Sequence, residues 1–198
     1  MKSSYLRAGA ALACALTLSA CGGSDGNMLL GGAFSGVTKT GLVLTNNGGS
    51  ELVINPTGTG SGEFYFPGLV DTDDSYNVQI KPGSIPSNAE KCEAFYNTGR
   101  VVYDVTSIRI VCTLKKHALK GTITGLTGAN LVLVNGSDRV AVAAGATSFT
   151  LTDVSEDAPY GVNVLTQPDN QTCTVANGSG TMGANDVTNV AVTCGPRT

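Results

Sequence analysis

Tryptophan is absent, histidine occurs once, and charge is sparse: Asp, Glu, Lys and Arg make up 14% of the 198 residues, against about 25% in ordinary soluble domains. With His117 as the sole histidine, a Ser-His-Asp or Cys-His centre, or a zinc site built on imidazoles, would have to assemble around that one residue. No nucleophile motif accompanies it. The glycine-rich stretch Gly58-Thr-Gly-Ser-Gly62 lacks the Lys-Ser/Thr pair of a phosphate loop and opens no helix, so it reads as a hairpin turn. Glu51, Glu63, Glu90 and Glu93 fall on expected surface strands and loops without an insertion that could set two carboxylates across a cleft. No catalysis is expected. Net charge is −3 and the only basic knot, Lys115-Lys116-His117 with Lys120, reads as a solvated linker, which disfavours a nucleic-acid surface. The 26 glycines follow no triplet period and helical periodicity is missing, so collagen and coiled coils are excluded.

What is present begins with an address. Residues 1–20 have a short basic start (Lys2, Arg7), an apolar run from Ala8 to Leu18 and small residues before Cys21, the order of a secretory leader. The run is shorter than the ~20 residues needed to cross a bilayer. Leu18-Ser19-Ala20-Cys21 resembles the lipobox of bacterial lipoproteins. That resemblance implies cleavage before Cys21, acylation of its thiol and new amino group, and attachment to the membrane by several chains, which hold far better than one. Gly22, in place of Asp, implies delivery to the outer membrane, facing either the periplasm or the cell surface. Residues 21–30 are polar and glycine-rich, the composition of a flexible tether.

Once Cys14 leaves with the leader and Cys21 is acylated, Cys92, Cys112, Cys173 and Cys194 remain. An even number in an oxidising compartment reads as two disulfides, and the spacing lacks the close pairs of zinc knuckles. Three pairings are formally possible, and an internal repeat selects one. Gly32-Ala-Phe-Ser-Gly-Val-Thr38 recurs as Gly121-Thr-Ile-Thr-Gly-Leu-Thr127, and Asp104-Val-Thr-Ser-Ile-Arg-Ile-Val-Cys112 recurs as Asp186-Val-Thr-Asn-Val-Ala-Val-Thr-Cys194. Each copy thus carries its own cysteine pair, Cys92 with Cys112 and Cys173 with Cys194. Closing loops of about 20 residues contributes on the order of 3 kcal/mol each in the chain-entropy account.

The hydrophobic period is two. In Tyr76-Asn-Val-Gln-Ile80 and Ile108-Arg-Ile-Val-Cys112 alternate side chains take opposite faces, as in half-buried strands. Turn clusters such as Asn46-Asn-Gly-Gly and Lys81-Pro-Gly-Ser punctuate them at the spacing of a sandwich or barrel. The expected architecture is all-β: two tandem Ig-like or transthyretin-like β-sandwiches of about seven strands each, with one intradomain disulfide per module. Module one spans residues 31–115, a linker 116–118, and module two 119–195. The second copy, with Tyr160-Gly-Val-Asn-Val, Cys173-Thr-Val-Ala-Asn-Gly-Ser-Gly180 and Val187-Thr-Asn-Val-Ala-Val-Thr-Cys194, resembles a module of uncharacterised envelope lipoproteins of Gram-negative bacteria. More loosely, both copies are similar to transthyretin-like and collagen-adhesin B-type sandwiches. None of these resemblances supplies a catalytic residue.

Two binding candidates follow. Asp71-Thr-Asp-Asp74 gathers acidic oxygens on one loop, so Asp71, Asp73 and Asp74 could hold Ca²⁺, although turns favour Asp for their own reasons. Aromatics crowd into module one, and alternation turns Tyr65 away from Phe64 and Phe66. Exposed together with Tyr96 or Tyr103, it would offer a face to a glycan or an envelope protein. Tyr76 and Tyr160 are expected as corner tyrosines bonding backbone.

Overall fold

The computed structural model describes residues 27–197; the leader, Cys21 and most of the tether lie outside the described residues. Module one contains β1 (Leu30–Ser35), β2 (Val43–Asn46), β3 (Gly49–Val53), β4 (Gly62–Tyr65), β5 (Ser75–Ile80), β6 (Ala89–Phe95), β7 (Thr98–Arg100) and β8 (Val105–Leu114). Module two repeats them as β9 (Lys116–Thr124), β10 (Leu131–Asn135), β11 (Asp138–Val142), β12 (Ser148–Ser155), β13 (Pro159–Thr166), β14 (Gln171–Ala176), β15 (Ser179–Thr181) and β16 (Val187–Pro196). Each module therefore has eight strands, one more than expected. The additional ones, β7 and β15, are three residues long, too short to show alternation, and are held by their pairing to β5 and β13.

Two four-stranded sheets form each module: β4-β1-β8-β6 over β3-β2-β5-β7, and β12-β9-β16-β14 over β11-β10-β13-β15. In both, the first and last strands of the module are parallel neighbours at the centre of one sheet, and the other pairs are antiparallel. Alternation produces the core. Along β8, Ile108, Ile110 and Cys112 face inward while Arg109 and Val111 face out, and the inward set meets Leu44 and Val78 of the opposite sheet. Module two packs Val190, Val192 and Cys194 against Leu133 and Val162 in the same way. The cores are separate, as the repeat requires.

The conserved-in-kind Gly-x-x-x-Gly of the two copies has a steric cause. A Cβ on Gly32 or Gly121 would collide with the carbonyl oxygen of Ile108 or Val190 on the adjacent strand. Gly36 and Gly125 both have φ of 76°, in the left-handed region that other residues enter only at a cost. Asn47 and Gly48, with φ of 51° and 75°, make the Asn-Gly hairpin turn between β2 and β3.

The disulfides are Cys92–Cys112 and Cys173–Cys194. Each joins residues directly opposite on neighbouring antiparallel strands, with Cα atoms 4.0 Å apart, so each clamps an edge strand to the central pair of its sheet.

Residues 116–118 lie inside β9, so they do not form a linker. After β8 ends at Leu114, only Lys115 intervenes. Its amide donates to Asn88 of module one, and its carbonyl accepts from the Glu156 amide of module two. A connection this short, bonded on both sides, ties the modules directly.

Candidate interaction surface

Two places gather polar or exposed chemistry. The first is the joint between the modules. Glu156 is 3% exposed and takes His117 Nε2 at 3.0 Å and Lys39 Nζ at 3.3 Å. Its neighbour Asp157 accepts from the Thr38 hydroxyl at 2.7 Å and from Asn88 Nδ2 at 2.8 Å. Lys39, Thr38 and Asn88 belong to module one, and the acids to the turn after β12. His117 is thus a half-buried strand residue bonded to a carboxylate, where the sequence suggested a solvated linker. The hydrogen bond from His117, followed by the bond and charge of Lys39, holds the Glu156 carboxyl below its usual value against the opposing effect of burial. Sequence reasoning missed this cluster because its members come from four separated segments.

The repeated Asp-Val-Thr also has a local role. Asp104 accepts the Leu29 amide at 2.8 Å and Asp186 the Ala118 amide at 2.9 Å, each fixing the entry to its module's first strand. The Ala118 amide, then Lys120, lowers the Asp186 carboxyl from its ordinary value.

The second place is the outer face of the β4-β1-β8-β6 sheet. Register puts Glu63, Ala33, Arg109 and Phe95 side by side across the four strands, with side chains away from the core. Phe95 and Tyr96 wall a shallow depression of about 760 Å³, whose floor includes Ala33, Ser107, Arg109 and Val111. A smaller depression beside it, of about 190 Å³, shares Thr106 and Ser107 and reaches Tyr103. Tyr96 is 71% exposed and has φ of 54°.

Tyr65 and Tyr96 are not brought together. Tyr65 lies on the opposite edge strand, three strand spacings or roughly 14 Å across the sheet from β6. There its ring covers Gly31 and its hydroxyl points to Glu63 Oε2 at 3.5 Å. The partners of Tyr96 are Phe95 and Arg109 instead. Phe64 and Phe66 are buried, as alternation required. Tyr76 and Tyr160 are half-buried, their rings lying over Gly99 and Gly180 of the paired short strands. Neither hydroxyl bonds backbone among the described residues.

Asp71, Asp73 and Asp74 lie in the turn that leads into β5. Asp73 pairs with Arg100 at 3.5 Å, and Asp74 accepts the Asp71 amide at 3.4 Å, closing the turn. Among the described residues no three His, Cys, Asp or Glu side chains gather as a metal site would need.

Fold and surface together define a tandem, disulfide-clamped, all-β protein with one decorated face. No protein-family model matches the chain, and no curated protein matches it. Among solved structures it is similar to the Bacillus anthracis TIE protein, at 11% identity and a TM-score of 0.37 over 84% of this chain and 34% of that one. This chain thus spans about a third of that protein's length. It is also similar to two Streptococcus pyogenes major pilins. T3.2 is 13% identical with a TM-score of 0.34, over 86% of this chain and 98% of the pilin. T-13 is 11% identical with a TM-score of 0.30, over 87% and 98%. Scores this low leave the functional reading to the chain's own geometry.

Proposed function

We propose that this chain is a non-enzymatic, lipid-anchored envelope protein whose first module carries the contact surface and whose second module supports it. One observation carries the reading. Of the large apolar side chains exposed among the described residues, all but Leu29 and Leu165 belong to module one, including Tyr65, Phe95, Tyr96, Tyr103 and Val111. Two copies with equivalent cores thus differ in what they show to solvent, and exposed aromatic and apolar side chains concentrated in one copy mark it as the side that makes contacts. Cys21, at the end of its apolar run and ahead of a polar tether, supplies the anchor. Gly22 in place of Asp directly after Cys21 supports the outer membrane as destination.

Metabolic labelling with an alkyne fatty acid, compared between the native protein and Cys21→Ser, tests the anchor. Label on the native chain and none on the variant is the expected result; no label on the native chain refutes it. Protease added to intact cells then separates surface display, in which the modules are digested, from periplasmic residence, in which they survive until the outer membrane is opened.

A further inference from the structure

We infer that the outer face of the β4-β1-β8-β6 sheet binds an acidic polysaccharide, with Phe95 and Tyr96 stacking on a sugar ring and Arg109 receiving its carboxylate. The inference rests on the contact-surface reading above and names the ligand class.

The second module shows what the fold itself requires. Aligned through the disulfides, Phe95, Tyr96, Arg109 and Val111 correspond to Ala176, Asn177, Ala191 and Thr193. The inward neighbours match in kind, Ile110 with Val192 and Cys112 with Cys194. A sandwich with small and polar residues on this face is therefore complete. The aromatic rings and the guanidinium of module one are additions to it.

Backbone conformation points the same way. Tyr96 and Asn177 occupy one position, with φ of 54° and 55°. Asn tolerates the left-handed region, whereas a bulky aromatic enters it at a cost. At 71% exposure Tyr96 recovers little of that cost by burial. A strained residue that contributes little packing is the pattern of a side chain kept for presentation.

Charge selects the ligand. Arg109 makes no ion pair with the described residues; of the acids on this face, Glu93 is held by Lys91 at 2.9 Å and Glu63 lies two strands away beside the Tyr65 hydroxyl. Arg100, next to the adjoining depression, is occupied by Asp73. An unpaired guanidinium beside two rings and the hydroxyls of Thr106 and Ser107 suits a planar carboxylate, which it can bond in bidentate fashion. The rings suit the apolar face of a pyranose. A protein partner fits less well: a stable interface buries about 800 Å² per side around a desolvated apolar centre, and this face is shallow and interrupted by the Lys91–Glu93 pair.

The test is affinity electrophoresis of the full-length protein in detergent, through gels containing polygalacturonate, with methyl-esterified polygalacturonate and dextran as carboxylate-free controls. Retardation by polygalacturonate well beyond either control is expected. Arg109→Ala and the double variant Phe95→Ala/Tyr96→Asn should each weaken it about tenfold or more, as loss of a charge-assisted bond or a stacking pair does. These variants install the second module's own residues, so folding is preserved, and Tyr96→Asn should raise the melting temperature while binding falls. A purely structural tyrosine would move both together. Absence of retardation, equal retardation by the methyl ester, or retention unchanged in both variants overturns the inference. So does cross-linking to an envelope protein that depends on the same residues while retardation is missing. Fatty-acid labelling of the same preparations keeps the two readings distinct, since failure to bind with labelling intact refutes the ligand and leaves the anchored module standing.

Discussion

Replacing Glu156 by Gln removes a buried negative charge while keeping the shape of the joint between the modules. In the native chain the carboxylate accepts from His117 at 3.0 Å and Lys39 at 3.3 Å. A hydrogen bond to a charged partner contributes about 1.5–3 kcal/mol. Lys39 is 40% exposed, so solvent screening reduces its share to a few tenths of a kcal/mol. Because the amide oxygen of Gln still accepts one bond, the net loss should be about 1–2 kcal/mol. For a module of this size that corresponds to a fall in melting temperature of roughly 5–10 °C. The pH dependence is more discriminating than the size. The Glu156 carboxyl is lowered from 4.5 in the folded chain, so its contribution is complete above about pH 4.5 and is lost as pH falls through the lowered value. The other groups at the joint are Asp157, bonded to Thr38 and Asn88, and His117 and Lys39 themselves. Thermal unfolding of both proteins, followed by circular dichroism from about pH 6 to about pH 2.5, should show a gap that closes as Glu156 takes up its proton. A gap of constant size across that window, or none at pH 6, would refute the assignment of the joint to a charged Glu156.

Tyr96→Asn should stabilise module one by about 0.5–1 kcal/mol through relief of the left-handed strain, read as a higher urea midpoint with unchanged slope. Replacing Cys92 and Cys112 together by Ala should cost module one about 3 kcal/mol; in calorimetry its transition should fall while the module two transition holds. Gly32→Ala places a methyl group on the Ile108 carbonyl, with no flexible side chain to give way, and should cost more than ~3 kcal/mol. Gly49→Ala, which meets nothing within 4 Å, serves as the nearly neutral comparison. Excess Ca²⁺ should leave the melting temperature unmoved, because a ligand must bind the native state to stabilise it.

The binding face was legible only in part. Tyr65 and Tyr96 could be read as exposed aromatics from alternation and from the uneven distribution of rings between the copies. Their separation could not, because which strands form the edges of a sheet depends on sheet order. Phe95 looked like any strand residue, and Arg109 like an outward charge. Register alone places them opposite one another. The Asp71-Thr-Asp-Asp74 loop reads two ways for a local reason: the same residues that suit a cation also close turns, and here Asp74 bonds the Asp71 backbone.

By itself the sequence determined what local chemistry and repetition can carry: two copies, β-strands of period two, hairpins at Asn-Gly, and disulfides within each copy. Those follow from alternation, turn stereochemistry and the pairing of equal segments. The tertiary structure decided everything that depends on which strands become neighbours. It added β7 and β15, whose three residues hold no pattern of their own, and it drew 116–118 into β9. It also moved the only histidine from an expected linker to a buried carboxylate across the module joint. Burial of Glu156 among groups from both modules needs the closed fold, and no stretch of chain encodes that meeting locally.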